Sequence, residues 1–373
     1  MLGLLEYVIR GIDGRGSAAR AGRNEHVDHN TLGEARCIRV SSECLGRFHR
    51  NPGSARKTSD RGSIFPARAM ATVSAMPELT ARNVGPSGIE IAYERLGDPE
   101  ATPVLLIMGA GAQMINWPEG FCRALVDRGL HVIRFDTRDA GRSTHFPDAP
   151  VPDFAAALAG DLSSASYTLS DLAADTVGLL DALDLTDVHL VGSSMGGMIA
   201  QMIAIEHPER ARSLTSMMST TGEPGVGEAD FSVFAGLGAP PQEREAFVAW
   251  QVCALRLAAS PGFAFDETAA AERAGRVFDR GYDPLGIQRQ GLAVVATGDR
   301  TERLRSLRVP TLVVHGADDL VCDVSGGRAT AAAIPGAELL ILGGMGHGLP
   351  QELWPELANH ISEFIHHVET VTA

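Results

Sequence analysis

The stretch VHLVGSSMGG (188–197) constrains the fold of this chain more than any other. An apolar run ends at Gly192-Ser193-Ser194-Met195-Gly196. The spacing then changes at once to the helical pattern of MGGMIAQMIAIEHPE (195–209). A strand that becomes a helix without a loop has to turn sharply. The flanking positions must be small, because a Cβ there would strike neighbouring backbone. Gly192 and Gly196 meet that need, and Gly197 adds room. Ser194 is left at a helix N-terminus, where unpaired N–H groups favour developing negative charge. No second G-x-S-x-G occurs in the chain.

The segments around this turn alternate between strand and helix. GIEIAYERLG (88–97) alternates apolar and polar residues, as a half-buried strand does. PVLLIM (103–108), HVIRFD (131–136), VHLVG (188–192), SLTSMM (213–218), VPTLVVHG (309–316) and AELLILG (337–343) are short and mostly apolar, as expected of strands covered on both faces. Between them, 117–129, 169–185 and 195–209 have helical spacing, and a last helix is expected over about 353–368. Ser170 is the expected N-cap of the helix near Leu169. Alternation of this kind implies an α/β fold, a mostly parallel sheet with helices on both faces. It stops between about 219 and 300, in a helix-rich segment broken by GLGAPP (236–241). That segment is expected to be an inserted helical cap over the C-terminal edge of the sheet. Two stretches in it, AFVAWQVCALRLAA and TAAAERAGRVFD, read as amphipathic helices. Their apolar faces are expected to meet the catalytic domain and a bound acyl group.

Composition narrows the range of partners. The net charge is −14, and nucleic acid or anionic lipid would need clustered Lys and Arg. No run of 18 apolar residues occurs, so no transmembrane segment is expected. Cys37, Cys44, Cys122, Cys253 and Cys322 are scattered and include no CxxC pair. Free thiols or small buried side chains are expected, which fits a reducing, cytoplasmic setting. Residues 1–69 differ from the rest, with 12 Lys+Arg against 7 Asp+Glu and no sustained period. The regular pattern begins at Leu79, after possible starts at Met70 and Met76. Residues 1–78 are expected to be a disordered extension or the product of an over-called start, and 79–373 the folded domain.

A serine hydroxyl is a weak nucleophile and needs a base held by a third group. In open sheets of this kind the chain order is Ser, acid, His. VVHGADDLVCDV offers Asp318, Asp319 and Asp323 after one strand, and ILGGMGHGLP offers His347 after the next. Both segments leave strands at the edge where such sheets bind ligands. An oxyanion would need backbone N–H donors, one from Met195 and one from the loop MGAGAQMINWP, where Ala110 is the candidate between Gly109 and Gly111. A dinucleotide fingerprint is the rival reading of that loop, but Met114 stands where its third glycine belongs.

The motifs LLIMGAGAQMINWP, FDTRDAGRS, VGSSMGG, PTLVVHGADD and GMGHGLP, in this order, resemble those of the α/β-hydrolase superfamily. Within it they are similar to the aclacinomycin methylesterase-like esterases. The resemblance runs from about Leu79 to the end of the chain. It implies an α/β-hydrolase fold and a catalytic triad of Ser194, Asp319 (the third residue after Gly316) and His347. It places the oxyanion donors at Ala110 and Met195, and it gives Asp136 and Arg138 structural roles. Met108 stands where many relatives have histidine.

The expected function is that of a serine hydrolase acting on a carboxylic ester. The substrate is a small-molecule ester, of methyl type on an apolar acid, with no metal or organic cofactor required. Met108, Met114, Met195, Met198 and Met345 are expected to help form an adaptable apolar pocket. A lipase, a thioesterase or a carbon–carbon bond hydrolase could use the same triad. A non-catalytic ligand-binding relative would have no need of an ordered Ser, Asp and His.

Overall fold

The computed structural model describes residues 77–234 and 236–372. The expectation for residues 1–78 therefore lies almost wholly outside the described residues. Eight strands form one sheet in the order β1-β2-β4-β3-β5-β6-β7-β8. They are β1 (Leu79–Val84), β2 (Ile89–Leu96), β3 (Thr102–Ile107), β4 (Leu130–Phe135), β5 (Val188–Ser193), β6 (Ala211–Met217), β7 (Thr311–Gly316) and β8 (Glu338–Leu342). β2 is antiparallel to both β1 and β4. From β4 to β8 all pairing is parallel. The helices are α1 (Glu119–Val126), α2 (Phe154–Leu158), α3 (Leu169–Ala182), α4 (Met195–Glu206), α5 (Arg244–Leu257), α6 (Glu267–Gly281), α7 (Pro284–Thr297), α8 (Thr301–Leu304), α9 (Ser325–Ala333) and α10 (Trp354–Thr372).

The central strands are mostly apolar because both faces are covered, and successive residues divide between two layers. Leu105, Ile107, Ile133 and Leu190 pack with α3 and α4 on one face. Val104, Leu106, Val132 and Val191 pack on the other, against Phe121 and Leu125 of α1 and Leu357, Ile361 and Ile365 of α10. α4 lies deep in the first layer, with every residue from Met195 to Ala204 buried. It ends where His207-Pro208 removes the next helical N–H.

Some local expectations are corrected. Helix α3 is capped by Thr168, not Ser170: the Asp171 carboxylate accepts from Thr168 N and Oγ1, both at 2.8 Å. The Ser170 hydroxyl instead donates to Glu206 at 3.0 Å. Strand β1 has no alternation to reveal it, because its register with β2 shifts between Ala81 and Val84. Between β6 and β7 lie α5, α6 and α7. The apolar faces of α5 and α6 bury each other: the Phe247 and Tyr282 rings are 4.3 Å apart, and Phe278 and Trp250 complete the cluster. Helix α7, which the apolar periodicity did not announce, starts at Pro284 under an Asp283 cap. Four of the five methionines fill the core rather than a pocket: Met195 and Met198 lie in one layer, Met108 and Met345 in the other. Met114 is likewise fully buried.

A buried ion pair ties the loop after β4 to α3. Arg138 donates to both Asp175 oxygens, at 2.5 and 2.7 Å, and its guanidinium lies over the Tyr167 and Phe146 rings. Asp175→Ala would leave a buried guanidinium without its counter-charge. The expected loss is about 3–5 kcal/mol of stability, measured as a lower urea midpoint.

Candidate active site

The strand ends bring the sequence-selected residues to one edge of the sheet. Ser194 leaves β5 with φ 57° and ψ −124°, a conformation that costs roughly 1–3 kcal/mol for a residue other than glycine. Its N–H donates to Met217 O of β6 at 2.8 Å. A Cβ at Gly192 would lie 2.2 Å from Gly196 O, and one at Gly196 would lie 2.1 Å from Ile107 O. The small residues of the motif are thus required by backbone crossing backbone. Ser194 is partly exposed, whereas Ser193 is buried.

Of the three acids the sequence left open, only Asp319 meets His347. Its Oδ2 accepts from His347 Nδ1 at 2.7 Å, and its Oδ1 accepts from the N–H groups of Val321 and Cys322 at 2.8 and 2.9 Å. His315 on β7 places Nε2 3.5 Å from the same carboxylate. Burial by itself would raise the Asp319 pKa. The charge of His347 and the hydrogen bonds from His315, His347 and Cys322 outweigh it and hold the carboxyl well below its ordinary range. Asp318 instead accepts from Gly344 N at 2.8 Å, and Asp323 from Ser325 N at 2.9 Å. The His347 loop is fixed from the α5 side, with His347 N donating to Ala258 O at 3.1 Å and Gly346 N to Ser260 Oγ at 2.9 Å. Among the described contacts, no hydrogen bond joins Ser194 Oγ to His347.

The loop after β3 passes directly over Ser194: a Cβ on Gly109 would lie 2.9 Å from Ser194 Cβ. The N–H groups of Ala110 and Met195 have no protein acceptor among the described hydrogen bonds. Gly111, at φ +67°, is pressed against Ile287 of α7, where a Cβ would come within 2.4 Å of the Ile287 side chain. Its N–H donates to Gln290 Oε1 at 2.7 Å. Gln290, fully buried, donates in turn to Thr137 Oγ1 and Arg138 O at 3.1 and 2.6 Å. Asp136 holds the same loop through Met114 N at 2.7 Å, and Arg280 of α6 donates to Asp136 at 3.0 Å and to Gln113 Oε1 at 2.8 Å. Gln290, Gln113, Arg280 and His315 were not singled out from the sequence. Gln290 and Arg280 are isolated polar residues on helices, with no period to mark them, and Gln113 and His315 lie within quoted motifs whose pattern does not assign them a role.

Two cavities border this region. One of about 660 Å³ is lined by His347, Leu349, Trp354, Phe265 and Arg273. A second of about 220 Å³ lies against Ala110–Gln113, Phe247, Tyr282 and again Arg273. Asp139, His145 and Asp283 are close enough to share an ion, but Arg289 already donates to Asp139 at 2.7 and 2.8 Å and to Asp283 at 2.9 Å. Cys122, Cys253 and Cys322 are buried, and burial pushes the Cys122 thiol up to about 11. Among the described residues no helix is long and apolar enough to cross a membrane.

Residues 102–350 match the alpha/beta hydrolase fold family, and the chain belongs to that family. It is a hydrolase. It is 30% identical over 292 residues to the rhodomycin D methylesterase of Streptomyces peucetius, covering 71% of this chain and 91% of that protein. It is 27% identical to a 2-hydroxymuconate semialdehyde hydrolase of Pseudomonas putida, over 71% of this chain and 88% of the other. A thermophilic esterase from Thermogutta terrifontis shares the fold, with a TM-score of 0.56 and 22% identity over 78% of this chain and 99% of that one. The resemblance to methylesterases read from the motifs thus agrees with these relatives.

The seam between the helical insertion and the sheet includes a titrating contact. His145 faces acceptors at both ring nitrogens, Asp283 Oδ2 at 2.9 Å and Gly141 O at 3.0 Å, so the doubly protonated ring fits best. The hydrogen bond to Asp283 raises its pKa against the opposing effect of burial. A folded-state pKa above the unfolded value gives stability that is complete below the unfolded value and is lost as pH rises through the folded one. The difference in thermal midpoint between wild type and His145→Gln should therefore be largest near about pH 5.5 and shrink by about pH 9.

Proposed function

We propose that the chain hydrolyses a carboxylic ester, of methyl type on an apolar acid, through an acyl-enzyme on Ser194. The observation that carries this reading is the strained Ser194 turn beneath two uncommitted N–H groups, on the same sheet edge as a paired Asp319–His347. His347 takes the Ser194 proton as the oxygen attacks the ester carbonyl. Nδ1 of His347 is already committed to Asp319, so Nε2 is the basic nitrogen. Asp319 orients the ring and stabilises the imidazolium. The N–H groups of Met195 and Ala110 receive the negative oxygen of the tetrahedral intermediate. His347 returns the proton to the leaving alkoxide, and water then repeats the sequence to release the acid. Asp136 and Arg280 hold the Ala110 loop at the height this requires. The methylesterase relative supports a small leaving alcohol.

A fluorophosphonate probe followed by peptide mass spectrometry should label Ser194 and leave the buried Ser193 unmodified. Ser194→Ala should lower kcat on methyl and short p-nitrophenyl esters by ~10⁴–10⁶ without altering the thermal midpoint. Asp319→Asn should be crippled, whereas Asp318→Asn should retain nearly full activity. An adduct on another residue would overturn the assignment. Negligible rates on monomeric esters, with strong activation on emulsified triglyceride, would replace this reading with that of a lipase.

A further inference from the structure

Among the described residues of the helical insertion, two arginines are not used by the fold, the exposed Arg276 and the half-buried Arg273. Arg273 on α6 is largely withdrawn from solvent and has no hydrogen bond or ion pair among the described residues. Its neighbours are committed elsewhere. Arg256 pairs with Glu267 and lies over the Phe265 ring, Arg244 is bidentate to Asp279, and Arg280 binds Glu78 and Asp136. Asp266, the nearest acid to influence Arg273, is occupied as the N-cap of α6, accepting from Ala269 N at 2.9 Å. A guanidinium left unpaired in a half-buried place costs stability, and it is tolerated where a ligand completes it.

Its position says what that ligand touches. Arg273 and Leu255 line both cavities, the larger beside His347 and the smaller beside Ala110–Gln113. Tyr282 lines the smaller one too, and its hydroxyl is buried with no partner. Burial pushes that phenol up to about 12, so it is a hydroxyl donor at neutral pH. Two unpartnered donors thus border one space, which extends to the reacting edge of the sheet. The planar fork of a guanidinium matches a carboxylate, with two parallel N–H···O bonds.

We propose that Arg273 binds a carboxylate on the acyl part of the ester, so that the substrates are half-esters of dicarboxylic acids. This rests on the esterase reading above and narrows its substrate class: the acid keeps an apolar chain but ends in a second carboxylate. Of the remaining walls, Leu255, Phe265, Leu349 and Trp354 suit the apolar chain between the carboxylate and the ester, while Ser260, Asp266, Gln351 and Glu352 add polar groups to the lining.

The test compares monomethyl adipate with methyl hexanoate, which keeps the chain length and removes the charge. Wild type should favour the half-ester in kcat/KM, chiefly through KM. Arg273→Gln should lose about 10- to 100-fold on the half-ester and stay within about twofold on the neutral ester. Arg273→Lys should recover part of the loss. Because it removes an uncompensated charge, Arg273→Gln should unfold at the same temperature as wild type or higher, which a structural arginine would not allow. Equal effects of Arg273→Gln on both esters would overturn the proposal. Binding of adipate to Ser194→Ala, followed by calorimetry, separates the two readings. Adipate binding that Arg273→Gln abolishes, with neither ester turned over, would sustain the anion site and refute the esterase. Turnover of both esters without adipate binding would do the reverse.

Discussion

The close crossing of backbone at Gly192 and Gly196 is the constraint on which the rest of the structure depends. The first turn of α4 rests against the carbonyl of Ile107 with no space for a side chain between. That contact fixes the angle at which β5 passes into α4. It also sets the distance between Ser194 and the loop that leaves β3. The strain at Ser194 is held by the surrounding core, since α4 is buried along nearly its whole length and its residues fill one layer. A surface helix could not impose such a turn, because it would relax by lifting away.

From that crossing, chemistry and recognition are assigned to different parts of the chain. Ser194, Asp319 and His347 follow strand ends, where parallel pairing through β5, β6, β7 and β8 places them on one edge. The cavity walls come partly from the insertion and partly from the loops after β3 and β8. The junction between the two is mostly polar. Gln290 joins Gly111 to Thr137 and Arg138, Gln113 donates to Val277 O and Gly281 O, and Arg289 clasps Asp139. Directional bonds of this kind specify one orientation, which an apolar contact would leave free to slide.

What could be read from the sequence follows from this division. The strands β3 to β7 were legible because burial on both faces leaves short apolar runs, whereas the edge strand β8 kept such a run although it is exposed over Glu338 and Leu339. The Ser194 turn was legible because steric necessity forces glycine at fixed spacing. Asp319 was legible only with the help of a family pattern, since three acids lie close together and only the fold shows that Asp318 turns to Gly344. Strand β1 escaped because its bulge breaks the alternation, and α7 because its exposed face carries no clear polar stripe. Gln290 and Arg273 escaped for a different reason. A single polar residue on a helix looks the same whether it faces water, a loop or a cavity.

The Gly111–Gln290 hydrogen bond has a consequence for how this scaffold can change. Insertions in such a fold are the natural place for new specificity, because they can be replaced without disturbing the strand ends. Here α7 reaches through and grips the loop beside Ser194. Substitutions on the cavity-facing sides of α5 and α6 can alter the walls with little effect on that loop, Arg280 excepted, since it too holds the loop through Gln113 and Asp136. The Gln290 face of α7 does not share this freedom, since a change there is felt at the reaction centre as well as in the pocket. Divergence should therefore run unevenly through the insertion, quickly at the wall positions of α5 and α6 and slowly at Arg280 and on the Gln290 face of α7.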